Sequence, residues 1–411
     1  MANWIGDKTV SLEEKVSLMQ QDAAYDVADS DEAVLPDLSF LRETTRAKKL
    51  PPKVPKVFLS NDCVFNCAYC GCRSGHECKR YVSPPRELAE IAVKQAEANR
   101  HGVFITSSIY RNADYTEELI VETLRIIRKE LGYQGYIHAK VMPGTDPLLI
   151  YQAGQLADRL SVNIEVAKSE GYERIARNKN RSNILSPMRQ ISDMIAQAKR
   201  EKSRFAPRFA TSQTTQLMAG STEENDRTIL TLSRALYDKY HLMRVYYTPF
   251  QYRQEAAGYE GLPMVSVPKW RVHRLYQADR LMQIYGFSPE EIAPDDQLFL
   301  SENLDPKAAW ALRHLDRFPV EVNRADYETL LRVPGIGTTY ASRIVKARQY
   351  CTVTHAVLKA LGVSLKRCRH FITCNGVYDG ATVDNEVVLG PLLADPVDWS
   401  ERQTSLLSRA M

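Results

Sequence analysis

From residue 56 to about residue 250, short apolar runs alternate with longer stretches in which apolar positions recur at helical spacing. The short runs predict six strands, and the longer stretches predict the helices that connect them. The strands are expected at residues 56–60, 102–107, 136–142, 160–166, 209–220 and 243–248. The helices are expected near residues 86–100, 115–131, 146–158, 186–202 and 223–240. Six β/α units in succession predict an α/β fold with a parallel sheet, either doubly wound or an incomplete barrel.

Helical patterns flank this α/β region, which we assign to residues 51–263. Ser11 lies three residues before Glu14 and ahead of apolar positions, a capping-box signal that predicts a helical extension over residues 1–50. Residues 264–319 carry amphipathic patterns and predict a helical connector that packs on the α/β region.

The composition is that of a globular protein: 411 residues, 44% hydrophobic and 25% charged, enough for two or three domains. No apolar run approaches the ~20 residues that a membrane-spanning helix needs. Five of the eight cysteines lie within residues 63–78, which favours metal chemistry over a disulfide framework. We therefore expect a cytoplasmic protein with no membrane partner. The other cysteines are expected to be small buried hydrophobes: Cys351, Cys368 and Cys374.

Cys63, Cys67 and Cys70 follow the first predicted strand at C-x3-C-x2-C spacing. Cysteine thiolates are the usual ligands of a 4Fe–4S cluster, and three of them leave one iron open for a substrate or cofactor. The alternatives are three buried cysteines or a zinc site. Cys72 and Cys78 come soon after, and we interpret them as part of a loop beside the cofactor rather than as a second metal site.

This motif resembles the signature of the radical SAM superfamily, in which an aromatic residue precedes the last cysteine; Tyr69 fills that position. The resemblance implies a 4Fe–4S cluster on the three cysteines, with S-adenosylmethionine bound to the open iron. It also implies reductive cleavage of that cofactor to a 5′-deoxyadenosyl radical, which takes a hydrogen atom from the substrate. Between the two parallel-sheet folds it selects a partial (β/α)6 barrel, whose chemistry lies at the C-terminal ends of the strands.

The same resemblance implies cofactor contacts at the ends of the second and fourth strands. Ser107 and Ser108 lie where many relatives carry a Gly-Gly-Glu segment that meets the methionine amine. This chain lacks that segment, so hydroxyl or backbone groups would take its place. Asn163 and Glu165 are similar to an Asn-x-Asp pair that binds the ribose in several relatives, and both would point from one strand face into the barrel.

Three more contacts are implied on the fifth and sixth strands. Arg208 precedes the fifth strand and would pair with the methionine carboxylate, the alternative being a solvated surface side chain. Gly220 lies in the segment 216–223, which is similar to the family's adenine-side G-x-I-x-G-x-x-E motif and ends on Glu223. Tyr247 ends the sixth strand and would form a wall for the adenine, the alternative being a core position.

The positive charge of the chain is concentrated in one late segment. Residues 320–376 hold nine Lys and Arg against three acidic residues, a net charge of +6, while the whole chain carries +4. The remainder is therefore slightly acidic. Such a concentration predicts a module that meets phosphate.

Within this segment, Pro334-Gly-Ile-Gly337 separates two helical patterns and resembles the hairpin of helix-hairpin-helix DNA-binding motifs. Two glycines allow a tight turn whose N–H groups, together with the following helix N-terminus, can cradle a phosphate. A second, degenerate copy follows, so we expect a small all-α domain; the alternative is a helical protein-docking domain. The expected nucleic-acid contacts are Gly335, Ile336, Gly337, Thr338, Arg343, Lys346, Arg348, Gly362 and Lys366.

Four further segments accompany the cysteine motif and the hairpin: RLSVNIE at 159–165, LYQAD at 275–279, WALRH at 310–314 and FITCNG at 371–376. With them, over about residues 10–376, the chain resembles a bacterial family of radical SAM proteins described as acting in DNA modification or repair. The resemblance implies single-stranded DNA or a flipped base as substrate, a flavodoxin- or ferredoxin-type reductant, and a uracil-DNA-glycosylase-like partner. RNA modification by the same chemistry remains open, as does an iron–sulfur scaffold without catalysis. Residues 377–411 form a mildly acidic tail.

Overall fold

A computed structural model describes residues 11–23, 54–99, 102–201, 208–252, 261–380 and 386–394. The chain divides into two compact units. The N-terminal unit comprises Met1–Val34, Pro51–Glu224 and Leu232–Val267, and the C-terminal unit comprises Leu35–Leu50, Asn225–Thr231 and Pro268–Met411. The predicted connector thus belongs almost wholly to the same unit as residues 320–376, which we call the hairpin segment. Its expected packing on the barrel stays a prediction.

The N-terminal unit is built on a six-stranded sheet in which every neighbouring pair is parallel and the strands follow one another in chain order. The strands are β1 (Lys56–Phe58), β2 (Val103–Thr106), β3 (Ile137–Lys140), β4 (Arg159–Ser161), β5 (Ser212–Ala219) and β6 (Arg244–Pro249). Because parallel crossovers are right-handed, a strictly sequential order puts all connecting helices on one face, whereas a doubly wound sheet reverses direction. The predicted partial (β/α)6 barrel is confirmed.

Each predicted helix of this unit is present, and the structure adds a short one before the longest. They are α1 (Leu12–Ala23), α2 (Pro85–Asn99), α3 (Ala113–Arg125), α4 (Pro147–Leu156), α5 (Ser169–Ile175), α6 (Arg181–Arg200) and α7 (Asp226–Tyr240). Polar caps set their starts: Ser11 Oγ accepts from the Glu14 N–H at 3.2 Å, as predicted, and Asn180 forms a capping box with Asn183. Helix α3 ends in a π-helical turn, Ile126–Glu130.

Burial follows the expected periodicities. All four residues of β2 are buried, as in a sheet covered on both faces. Helix α2 turns Leu88, Ala92 and Ala96 inward, four residues apart and each no more than 1% exposed. None of the helices in the described ranges is long and apolar enough to cross a membrane.

The C-terminal unit contains mostly short helices. They are α8 (Lys269–Tyr285), α9 (Pro289–Ile292), α10 (Pro306–Arg313), α11 (Tyr327–Arg332), α12 (Thr338–Ala347), α13 (His355–Ala360), α14 (Leu365–Cys368) and α15 (Glu386–Leu393). A three-stranded sheet joins them: β7 (Val320–Glu321), β8 (Ile372–Cys374) and β9 (Val377–Tyr378). The expectation of an all-α domain is corrected here, since the apolar run at 371–374 forms a strand.

One aromatic cluster ties the predicted connector to the hairpin segment. Trp310 is 1% exposed, and its ring meets Phe287 edge-on at 5.3 Å and Phe318 edge-on at 6.3 Å. Phe318 in turn lies 4.9 Å from Phe371, beside β8. Such pairs add to the stability gained from burying the rings. The sequence boundary near residue 320 therefore runs through a core.

A buried carboxylate holds the start of α7 within the C-terminal unit. Asp226 is fully buried; one oxygen accepts from Arg271 Nε at 2.7 Å and the other from the Leu300 N–H at 2.8 Å. Both carboxylate oxygens thus accept from donors elsewhere in the same unit.

Candidate active site

A cleft lies at the C-terminal ends of the barrel strands. It encloses about 1250 Å³ with its open mouth included. Phe58 from β1 and Pro249 from β6 both line it, although these strands stand at opposite ends of the sheet order. The sheet must therefore curve around the cleft, as a barrel does, and the ends of its parallel strands converge there.

The three motif cysteines all line this cleft. Backbone hydrogen bonds fix their loop: the Val64 N–H donates to Ile109 O at 2.8 Å, and the Ala68 N–H donates to Ile175 O at 2.8 Å. In the described part of the chain, no three His, Cys, Asp or Glu side chains converge on a single ion position. A cluster does not require that convergence, because each thiolate binds a different iron. The donor set therefore fits a 4Fe–4S cluster.

Arg80 secures the same loop, a role that the sequence did not reveal. Its guanidinium donates to four backbone carbonyls of the loop. The distances are 2.5 Å to Asn61 O, 2.8 Å to Cys72 O, 2.7 Å to Arg73 O and 2.6 Å to His76 O. A planar five-donor group satisfies carbonyls that regular secondary structure would otherwise pair.

The thiols sit in contrasting electrostatic surroundings. Burial raises the pKa of Cys67 to about 12, although the Lys179 cation opposes it. A hydrogen bond from Cys72 lowers the pKa of Cys70 to about 7. Burial also raises the pKa of Cys63. A bound metal would favour the thiolate form of these buried groups, because a metal deprotonates its thiol ligands outright.

Lys179 is the main functional candidate that the sequence did not reveal. Its ammonium donates to Glu165 Oε1 at 2.9 Å and to the Tyr69 hydroxyl at 3.2 Å. The side chains of Lys179 and Glu165 are 11% and 8% exposed, so the ion pair is buried in the cleft wall. Burial lowers the pKa of Lys179, but the charges of Glu165 and Cys67 outweigh it and leave the pKa raised. Lys179 is therefore a cation beside the cysteines.

The expectation that Asn163 and Glu165 share one face of a strand is corrected, since β4 ends at Ser161 and both residues follow it. Glu165 has an unusual backbone. Its φ of +62° lies in the left-handed region, which a residue with a long side chain enters at a cost of about 1 kcal/mol or more. Two bonds to β5 hold it there: its N–H donates to Gln216 O at 2.9 Å, and its carbonyl accepts from the Met218 N–H at 2.8 Å. The carboxylate of the residue held in this way is the one that pairs with Lys179.

Polar groups implied by the resemblance also reach the cleft. Ser107, Ser108 and Asn163 line it, each at most 9% exposed. The hydroxyls of Ser107 and Ser108 are buried and find no hydrogen-bond partner among the residues that the structure describes. A buried hydroxyl without a partner costs free energy, so a polar ligand in the cleft would stabilise both. Gln216 and Met218 complete this side.

Arg208 and Tyr247 are not among the residues that line the cleft. Arg208 pairs with Asp158 at the N-terminal side of β5, whereas the cleft lies at the other end of the strands. Tyr247 is fully buried and donates its hydroxyl to Ser233 Oγ at 2.8 Å. The structure therefore supports the alternative interpretation of each, a half-exposed arginine and a core tyrosine.

Gly220 forms a turn and is not among the residues that line the cleft. Its φ is +76°, and its N–H donates to Glu224 Oε1 at 2.6 Å. Glu224 is 3% exposed, whereas the Glu223 side chain is 86% exposed and lies 3.4 Å from Arg174. The acid that closes this turn thus lies one residue beyond the one that the motif indicated.

The remaining cysteines lie in different surroundings, and the interpretation of Cys72 and Cys78 as part of a loop beside the cofactor stays a prediction. Cys72 is buried in the cleft wall, 3.6 Å from Asp22 Oδ1, and Cys78 is exposed. Cys351 is also exposed, so the expectation that it is a buried hydrophobe is wrong. It lies beyond the end of α12 at Ala347. The expectation holds for Cys368 and Cys374, both buried.

The hairpin residues divide into outward and inward groups. Gly335 is exposed with φ +83°, and Gly337 is the N-cap of α12. Ile336 is 1% exposed and anchors the turn. Gly362, with φ +87°, forms the second, exposed turn. Thr338 is half-buried as the first residue of α12.

The basic side chains of this segment divide in the same way. Lys346 and Lys366 are exposed. Arg343 is exposed too, but it donates to Leu361 O at 2.8 Å and so joins the two turns. Arg348 turns inward to the carbonyls of Val322 and Ala325. Because these carbonyls engage its guanidinium, Arg348 is not turned outward for the predicted phosphate contact.

No family model matches the chain. No curated protein matches it either. Among solved structures, it is similar to the FeFe-hydrogenase maturase HydG from Carboxydothermus hydrogenoformans, with 15% identity, a TM-score of 0.42, and 56% of this chain and 51% of that chain covered. It is similar to methylornithine synthase PylB, with 16% identity, a TM-score of 0.42, and 55% and 62% covered.

A third similar structure is coproporphyrinogen III oxidase HemN from Escherichia coli, a radical SAM enzyme, with 13% identity, a TM-score of 0.35, and 69% and 62% covered. This chain thus spans between about half and two thirds of the length of these three structures.

Proposed function

We propose that this protein is a radical SAM enzyme that carries a 4Fe–4S cluster. The observation that carries the proposal is the meeting of Cys63, Cys67 and Cys70 in one cleft at the C-terminal mouth of an open β/α barrel. When bound, the cluster and S-adenosylmethionine would supply a 5′-deoxyadenosyl radical for hydrogen abstraction. The chain itself would bind, orient and shield the two cofactors.

Each part of the cleft has a role in that proposal. The three cysteines would hold the cluster, and Lys179 would offset the negative charge that their thiolates bring into the wall. Asn163 and Glu165 would accept the ribose hydroxyls, while the unpartnered hydroxyls of Ser107 and Ser108 would meet the polar methionine end.

We further propose that the substrate is DNA, presented as a single strand or a flipped base, because a base inside a duplex cannot reach a recessed cleft. The support is the +6 charge of residues 320–376 and the two exposed glycine turns at Gly335 and Gly362. Exposed turns can approach a phosphate without reading sequence. A ferredoxin- or flavodoxin-type reductant and a glycosylase-like partner belong to this proposal.

Anaerobic incubation with S-adenosylmethionine, dithionite and either DNA or RNA, followed by mass spectrometry of the nucleosides, tests the proposal. We expect 5′-deoxyadenosine together with a nucleoside of altered mass from DNA. A changed nucleoside from RNA alone would favour RNA modification instead. If neither nucleic acid elicits 5′-deoxyadenosine, the protein is better described as an iron–sulfur scaffold.

Loss of the ribose contacts should weaken S-adenosylmethionine binding without removing the cluster. We expect Asn163→Ala and Glu165→Gln each to lower its affinity by about tenfold, since each removes one hydrogen-bonding group in a desolvated site. Equilibrium dialysis of the reconstituted protein under nitrogen measures the change. Arg208→Ala is the matched control, because Arg208 pairs with Asp158 outside the cleft lining. Unchanged affinity in the Asn163, Glu165 double variant would refute the assignment.

Nucleic-acid binding should weaken steeply with salt. Each neutralised phosphate releases counterions, so Lys346→Ala should make the log–log slope shallower by about one and weaken all sequences equally. Fluorescence anisotropy of the full chain across a salt series gives the slope. Lys239→Ala, an exposed lysine of the N-terminal unit, should leave it unchanged. The same slope in both variants would count against a phosphate contact at Lys346.

A further inference from the structure

A second cavity lies wholly within the C-terminal unit and encloses about 930 Å³, its solvent-open mouth included. Helix α8 supplies one wall, the start of α10 a second, and the first glycine turn with the start of α12 a third. It shares no lining residue with the cofactor cleft, and the exposed Lys346 and Lys366 do not line it. Its size suits a small molecule or one end of a polymer.

The lining of this cavity is positively charged. It includes Arg280, Lys307 and Arg367, one from each of three helices, against the single acid Asp305. Asp305 is already engaged: it accepts from Arg367 Nη1 at 2.5 Å and from the Lys307 N–H at 3.0 Å. With Lys307 protonated, the lining has an excess of two positive charges.

Lys307 is the most deeply placed of these cations. Its ammonium donates to Ile336 O at 2.6 Å and lies 4.9 Å from the centre of the Tyr285 ring. Burial, reinforced by nearby Arg332, lowers the pKa of Lys307 to about 7 in spite of Asp305. A buried lysine with so little negative charge around it gains directly when an anion enters the cavity.

The remaining walls supply two further kinds of contact. Helix α12 has ten residues and begins at the cavity, so its dipole favours negative charge there. The hydroxyl of Tyr285 lies within hydrogen-bonding reach of the Thr338 N–H. The rings of Tyr285 and Tyr340 also line the cavity and could stack on a flat aromatic group.

We propose that this cavity binds the terminal phosphate of a nucleotide, either at the 5′ end of a strand or on a free nucleoside 5′-monophosphate. A phosphate monoester carries about 1.5 to 2 negative charges at pH 7, whereas an internal diester carries one, so the monoester interacts more strongly with the cations of the lining. The aromatic walls take the attached nucleoside. Binding of a strand end rests on the proposed nucleic-acid function, whereas binding of a free nucleoside 5′-monophosphate does not.

The test uses the full chain and two oligonucleotides of identical sequence, labelled at the 3′ end, one with a 5′-phosphate and one with a 5′-hydroxyl. We expect the phosphorylated strand to bind about tenfold more tightly. Lys307→Met and Arg280→Gln should each abolish this advantage, while Lys359→Ala, an exposed lysine of the same unit, preserves it. Two variants of the cavity are used so that the test still stands if one of them fails to fold.

Titration with a nucleoside 5′-monophosphate separates the two sources of the phosphate. If it binds the native chain but not the two pocket variants, while both strands bind equally, the ligand is a free nucleotide. Equal binding of both strands with no binding of the nucleotide overturns the inference, as does a phosphate advantage that survives in both pocket variants. Failure of the proposed nucleic-acid function has a different signature: no salt-dependent binding of the 5′-hydroxyl strand.

Discussion

Alanine at Cys63, Cys67 or Cys70 is expected to remove the 4Fe–4S cluster and to abolish 5′-deoxyadenosine formation. Each thiolate would hold a different iron, so each single change leaves a cluster with two protein ligands. The loss of activity should exceed the roughly 10–100-fold loss that follows removal of an outer hydrogen-bonding partner of a metal ligand. The iron and sulfide content per chain after anaerobic reconstitution measures the cluster. Chromatography of the products formed with S-adenosylmethionine and dithionite measures 5′-deoxyadenosine.

Two further cysteines serve as controls for that experiment. Cys351→Ala changes an exposed thiol of the C-terminal unit and should leave iron content and product unchanged. Cys72→Ala is more demanding, because Cys72 lines the same cleft but falls outside the motif spacing. It should retain the cluster. Stoichiometric zinc with no iron in the native chain would contradict the assignment of the three cysteines.

Lys179→Met is expected to destabilise the cluster-free protein by about 3 kcal/mol, because it leaves the Glu165 carboxylate buried without its counter-charge. Urea unfolding gives the change in free energy from the shift in midpoint. Lys168→Met, an exposed lysine nearby in the chain, is the matched control and should stay within about 0.5 kcal/mol of the native protein.

A double variant separates the ion pair from simple loss of packing. Adding Glu165→Gln to Lys179→Met removes the stranded charge, so most of the lost stability should return. If Lys179→Met unfolds like the Lys168→Met control, the pair contributes nothing and Lys179 has no structural part in the wall. If Glu165→Gln restores nothing, the cost comes from packing around the lysine stem.

The strand and helix order of the barrel could be predicted from the chain because each element repeats its own local period. The α/β region has six apolar runs separated by amphipathic helices, and local spacing suffices to find them. The motif cysteines were found because their spacing is local as well. Lys179 was missed for the opposite reason: it lies in the polar run 177–181, typical of a solvated loop, and only the tertiary fold brings it to Glu165.

Misplaced residues show which information local patterns lack. Arg208 and Tyr247 have suitable chemistry beside predicted strands, but the end of the strand and the face of the strand decide whether they reach the cleft. Glu223 and Glu224 differ by one position, and the buried one could be told only from the turn that Gly220 makes. The three-stranded sheet of the C-terminal unit was missed because two of its strands have only two residues each.

The carboxylate of Asp226 has a consequence for any attempt to move the C-terminal unit as a cassette. A gene that starts at codon 268 would encode Arg271 and Leu300 but not the acid that accepts from both. The Leu300 N–H, left buried without this acceptor, alone costs about 1–3 kcal/mol. Recombination that grafts this unit onto another protein must therefore carry the stretch 225–231 along, or supply a new acceptor in its place.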